Sequence, residues 1–475
     1  MSISINKTKG LFIRLLTRGS MQTATGLIIP AGFFLGAMML SKLGEKTFAA
    51  AALIFAVQAF IQSMITMPLN VIGGIISRNF GAKDDVNVGI QRCKEIGKIL
   101  RSGQCLSLCL ALPAIVVAFF IGDLLKLTGQ QPQLCEIVQS YFTASVWGIP
   151  ATVLLFCSQQ FANGINKQWT ALSQGIIGLG ILLLFSYPTI FGKWGFPALG
   201  AAGLGYAVAL RSWINLFMLE GRFFFDKTTQ PFNLFILDSL KKPTLYMKKI
   251  WQIGWPISVQ YGIELSSMIV TTIMAGNLGQ QALVVRGLSA QYSMLLIIPL
   301  IAFSQACTVL VGQARGQIKY DDASKLSYMA IGTGVVFALM FMGIFFAAFK
   351  PMVNLFIVID WNNKSLVSLI VVVMSLTLGG LVIDTARNVS TGALRAFDDT
   401  KFPALMGALG LLIVKIPLSW VLAFPVGMGL VGLALAHVIG LVIGTLPVLE
   451  RWRKCINKQC VHLTTISPAN IINSK

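Results

Sequence analysis

Leu366-Val-Ser-Leu-Ile-Val-Val-Val-Met-Ser-Leu-Thr-Leu-Gly-Gly-Leu-Val-Ile-Asp384-Thr-Ala-Arg387-Asn388-Val-Ser-Thr391 contains 26 residues, and only Asp384 and Arg387 in it are charged. At 1.5 Å per residue it is long enough, as a helix, to cross about 30 Å of hydrocarbon. Its apolar residues run almost without interruption, whereas a barrel strand alternates over about ten residues. Lipid offers no partner to a backbone amide, so a continuous run of this length must be a helix.

The rest of the chain repeats the pattern. Of 475 residues, 55% are apolar and 11% are charged, against about 25% charged in soluble domains. Mean hydropathy is +0.77, and the 45 glycines suit helices that approach closely in lipid. Spans are predicted at Ser20–Leu40, Thr47–Ile76, Ile96–Ile121, Leu134–Phe156, Trp169–Phe191 and Ala198–Leu219. They resume at Ile250–Gly276, Gln281–Val311, Leu326–Phe349, Leu366–Thr391, Phe402–Phe424 and Met428–Leu449. The expected fold is an all-α polytopic membrane protein with twelve transmembrane helices. Residues 1–220 form an N-terminal six-helix bundle, 221–249 a cytoplasmic linker, 250–450 a C-terminal six-helix bundle and 451–475 a cytoplasmic tail.

The net charge of +20 would suggest nucleic acid in a soluble chain. Here its placement explains it. With the N-terminus cytoplasmic, 27 of 37 Lys and Arg fall on the cytoplasmic side, six on the other and four inside spans. This is the positive-inside bias. It places both termini in the cytoplasm of a bacterial-type inner membrane and needs no nucleic acid. Residues 1–20 are basic and polar and precede a spanning run, so no cleavable signal peptide is expected. The eight cysteines are scattered without metal-type pairs and read as free thiols.

An internal repeat accompanies the pattern. Leu43-Gly44 after the first span matches Leu278-Gly279 after the seventh, and at the same offset Gly81 falls on Gly316. Gly200-Ala-Ala-Gly203 aligns with Gly429-Leu-Val-Gly432. Six spans per repeat is an even number, so the halves are parallel repeats about an axis along the membrane normal, with a central cavity expected between them.

Glu264 and Asp384 are the acids that this map places well inside spans. An intramembrane carboxylate is costly and reads by default as an ion site or proton relay. Arg387 lies one helical turn from Asp384, and Lys415 lies mid-way along the eleventh span; either could pair with the acids in one state and release them in another. Gln260 and Tyr261 share a helix face with Glu264, as Asn388 does with Asp384, and read as accessory ligands or interhelical hydrogen bonds. Pro30 and Pro256 sit at corresponding depths of spans one and seven and are candidate hinges, since each removes an amide. Arg211 and Arg286 read as side chains snorkelling to the interfaces, and His437 as a packing contact. Neither a phosphate-binding lysine loop nor a nucleophile–base pair is evident, so no enzyme is expected.

The stretch from Asp384 to Pro403, with Gly392-Ala-Leu-Arg-Ala-Phe-Asp-Asp-Thr400 inside it, resembles the multidrug and toxic compound extrusion (MATE) family, NorM-like branch. Gly254-Trp-Pro256 followed by Glu264, and Val311-Gly-Gln-Ala-Arg-Gly316, are similar to other family motifs, and the likeness runs from about Arg14 to Glu450. The resemblance implies a secondary active antiporter working by alternating access. It would export small, drug-like organic cations as a monomer, without a cofactor, in exchange for Na+ or H+. Glu264 and Asp384 would take the coupling cation, and would be its metal ligands if it is Na+. Two positions depart from the family pattern: Gly36 where many members carry a first-helix aspartate, and Gly380 where a tyrosine often precedes the tenth-helix acid. The four intramembrane bases leave room for an anionic or zwitterionic substrate. The alternative is a flippase for a lipid or lipid-linked sugar, which would present a cationic cavity to membrane lipid.

Overall fold

The computed structural model describes residues 2–84, 89–127, 129–232, 234, 243–356, 359 and 361–456. The predicted tail beyond Ile456, and the linker at 235–242, lie outside the described residues. Twelve long helices are present among those described, with no strand. They are α1 Ser2–Ser41, α2 Lys46–Gly81, α3 Gly89–Leu127, α4 Pro132–Gly164, α5 Gln168–Phe191 and α6 Ala201–Phe225. There follow α7 Pro243–Asn277, α8 Gln280–Gly316, α9 Tyr320–Ala347, α10 Lys364–Ala396, α11 Lys401–Ala423 and α12 Gly429–Ile456. Eleven are long and apolar enough to cross a membrane. The exception is α7, whose apolar character is diluted by Gln260 and Glu264, the residues that make it interesting.

Most helices overrun the predicted spans at one end or both. This matters most for α6, which continues past Leu219 to Phe225 and so takes Glu220 into its body.

The repeat motifs are explained by backbone geometry. Gly44 and Gly279 adopt φ +117°, ψ 167° and φ +106°, ψ 172° ahead of α2 and α8, a region essentially closed to residues with a Cβ. Each accepts the first hydrogen bond of the helix that follows, from Phe48 and Leu283 respectively, at 3.1 Å. Gly200, just ahead of α6, and Gly429, the first residue of α12, share φ values of +58° and +56°. The repeat is thus a repeat of turns that only glycine makes cheaply.

Three helices are locally irregular. Met67–Asn70 in α2 tightens into a 3-10 turn around Pro68, and Val146–Gly148 does so in α4 before Pro150. In α11, Leu409–Lys415 widens into a π segment before Pro417. Pro417 has no amide to offer the Ile413 carbonyl four residues back, which disfavours regular α-helix there; π segments are common at functional positions.

The chain divides into two compact units, residues 20–262 and residues 1–19 with 263–475. The 20–262 unit has one apolar core around Ile72, Ile99, Phe161 and Phe223 and another around Leu40, Ile54, Tyr141 and Leu204. Gly254 of α7 lies so close to the α2 turn that a Cβ would stand 2.1 Å from the Pro68 carbonyl oxygen. In the other unit, Val311, Val389 and Trp452 anchor one core and Tyr292, Phe345 and Met374 a second. There α8 and α10 touch where a Cβ on Gly392 would meet the Ser304 carbonyl oxygen at 2.4 Å, and α11 and α12 where one on Gly410 would meet that of Gly440 at 2.4 Å. Lipid is as apolar as the side chains, so close backbone approach is what holds such helices together.

Candidate functional site

The unit formed by residues 1–19 and 263–475 places Glu264, Asp384, Arg387 and Asn388 in one cluster. The spacing on α10 begins it. Residues three and four apart lie on one helix face, so Arg387 Nε donates to Asp384 Oδ1 at 2.8 Å and Asn388 Nδ2 to Asp384 Oδ2 at 2.8 Å. From α7, Glu264 Oε1 accepts from Arg387 Nη2 at 2.9 Å, while the same nitrogen stands 2.7 Å from Asp384 Oδ1. One guanidinium therefore bridges two carboxylates on two helices. Ser304 of α8 fixes the register by donating to the Asn388 carbonyl at 2.6 Å, and Thr308 does the same to Gly392 at 2.7 Å.

Exposure is graded across the cluster. The Arg387 and Asp384 side chains are 4% and 8% exposed, that of Glu264 22%. Glu264 is its accessible end. Beyond it by one turn of α7, the Ser267 hydroxyl is buried without a partner.

Lys415, at the end of the π segment, is buried and makes no hydrogen bond or ion pair among the described residues. It lies within electrostatic reach of Glu264, Asp384 and Arg286. Gln260 and Tyr261 fall in the 20–262 unit, where Gln260 is buried and Tyr261 packs against the Ile72–Phe161 core. Pro30 and Pro256 lie inside α1 and α7 as expected.

Three features were not anticipated. Glu220, placed by the sequence map at a helix end, sits inside α6 and accepts from Ser158 at 2.6 Å and Gln104 at 2.8 Å. Its sequence signal was weak because the predicted span ends at Leu219, immediately before it. In both Arg211 and Arg286 the Nε atom is buried without a partner, and Arg286 reaches Thr271 at 3.3 Å. Outside the spans the electrostatics are ordinary. The Lys167 ammonium beside Asp226, with the amide and hydroxyl of Thr228, holds the Asp226 carboxyl down at about 2.

Comparison with known proteins agrees with the architecture. The family described as MatE matches residues 23–187 and again 256–421, one match in each repeat. The chain is 26% identical over 440 residues to a probable multidrug resistance protein NorM of Synechocystis, covering 91% of each chain. It is 27% identical over 372 residues to the multidrug resistance protein NorM of Burkholderia vietnamiensis, covering 77% of this chain and 78% of that one. A crystal structure of a MATE protein in the bent conformation superposes with a TM-score of 0.82 at 16% identity, over 94% of this chain and 96% of that one. The chain is an integral membrane protein of the MatE family.

Proposed function

We propose that this protein is a multidrug exporter that expels small, drug-like organic cations across a bacterial-type inner membrane in exchange for Na+ or H+. The names of its NorM relatives support export. The observation that carries the coupling is the charge balance of the cluster: two carboxylates, Glu264 and Asp384, share one guanidinium, that of Arg387. The two carboxylates carry one more unit of charge than that guanidinium, and charge in a low-dielectric interior is costly. Something cationic must balance it.

Two candidates are at hand. The buried Lys415 ammonium supplies the missing charge in one state, and an entering Na+ or proton replaces it in the other. The partly exposed Glu264 is where the ion arrives. Na+ would draw on the carboxylate oxygens and the unpartnered Ser267 hydroxyl, whereas a proton needs a carboxylate alone. The ion drives export only because the two states hold it with different affinity. Asn388 acts as a supporting ligand, and Pro30 and Pro256 as hinges of alternating access.

The test is efflux of a fluorescent organic cation from proteoliposomes under an imposed Na+ or H+ gradient. Wild type should respond to one of the two, and Glu264→Gln and Asp384→Asn should each abolish the response. Transport indifferent to both substitutions would remove the coupling role. No transport of any cation would favour a flippase for lipid or lipid-linked sugar.

A further inference from the structure

The 20–262 unit contains a half-buried intramembrane cation that the coupling reading does not use. Arg211 is the eleventh residue of α6, about 15 Å from its start at 1.5 Å per residue, and so near the middle of the hydrocarbon. Its Nε is buried and unpartnered, and its guanidinium makes no hydrogen bond or ion pair among the described residues. The acid on the same helix, Glu220, is nine residues away, about 13 Å along the axis, and already engaged by Ser158 and Gln104. The titratable group that faces Arg211 is the Tyr141 phenol. An arginine is always charged, and intramembrane charges that have no protein partner mark ligand paths.

The guanidinium lines a cavity of about 30 Å³, with Gln58, Gln62, Tyr141 and Thr152 as its other hydrogen-bonding side chains and Phe33 and Phe55 among its apolar ones. Tyr141 donates to Gln58 Oε1, which leaves the Gln58 amide nitrogen as a donor beside the arginine. On the α1 side the cavity is lined by Gly32 and Phe33, and a Cβ on Gly32 would stand 3.9 Å from Arg211 Nη1.

We propose that this cavity is an anion subsite that takes the carboxylate of a small amphipathic molecule, held by Arg211 and Gln58. A single planar guanidinium matches a carboxylate in both geometry and charge, whereas a phosphate monoester near neutrality carries up to two charges. The volume admits a group of a few atoms, and the tilted Phe33–Phe55 pair, 5.1 Å between centroids, offers a wall to an attached ring. The site is separate from the cation-coupling cluster, so the two readings stand or fall apart.

The probe is benzoate, with neutral benzamide as its isostere, titrated calorimetrically into the protein in nanodiscs without any gradient. Benzoate should bind, and benzamide should bind at least about tenfold more weakly, as expected for a charge-assisted hydrogen bond. Arg211→Gln should abolish the preference. Gly32→Asp, which leaves the arginine in place, should also abolish benzoate binding by supplying an internal carboxylate within reach. Loss in both variants, with elution profiles like wild type, supports the site. Equal binding of the two probes, or benzoate affinity unchanged by Gly32→Asp, overturns it. Should Arg211→Gln fail to fold, Gly32→Asp decides alone.

Discussion

Arg387 governs the chemistry of the site. It is shared by both carboxylates, so its removal leaves the buried Asp384 and the part-exposed Glu264 as two anions facing each other. Breaking a buried ion pair from one side typically costs about 3–5 kcal/mol. Arg387→Gln should therefore lower the unfolding midpoint in detergent markedly. The added substitution Glu264→Gln should restore part of that loss, with a coupling energy of about 0.5–3 kcal/mol in the double-mutant cycle. Strict additivity would mean that the 2.9 Å contact carries no energy. At this scale the sequence was most informative where charge interrupts an apolar run. Asp384 and Arg387 stand out because nineteen uncharged residues precede them. Glu220 does not, because it lies where a span seemed to end, and the orphaned Nε atoms of Arg211 and Arg286 are facts of three-dimensional packing.

Among the elements, α11 departs furthest from regularity. Its π segment positions Lys415, and the same segment contains Gly410, whose missing side chain lets α12 approach at Gly440 and Gly444. A methyl group there would overlap backbone rather than a flexible side chain. Gly410→Ala should destabilise by about 1–3 kcal/mol, the usual cost of overpacking, although alanine is the better helix former. A thermal midpoint equal to or above that of wild type would show that the helices separate freely. None of this was legible in the chain. Pro417 announces a disturbance but not its kind, because a proline can kink, tighten or widen a helix depending on what its neighbours accept. The Leu-Gly turns were legible, for the opposite reason: at φ +117° and +106° the backbone leaves almost no choice of residue.

The whole molecule is organised by two sequence signals of different physical origin. Apolar runs of helical length set the number of crossings, and the uneven placement of Lys and Arg sets their direction. Both termini should accordingly face the cytoplasm. Green fluorescent protein fused after Lys475 should fluoresce and alkaline phosphatase fused there should be inactive; an active phosphatase would invert the topology. The overrun of helices past the predicted ends follows from what hydropathy measures. It detects the part of a helix that lipid requires to be apolar, and α1 and α3 continue into polar sequence that helix hydrogen bonding sustains equally well.

The bridging position of Arg387 also has a consequence in time. Asp384 and Arg387 lie on one helix and can enter the bilayer already paired. Glu264 emerges from the ribosome 123 residues before its partner, which at roughly 5–20 residues per second amounts to about 6–25 s. For that interval α7 is a membrane segment with an unmatched acid. The nascent protein then depends on the insertion machinery, or on water held there, until α10 arrives to complete the bond.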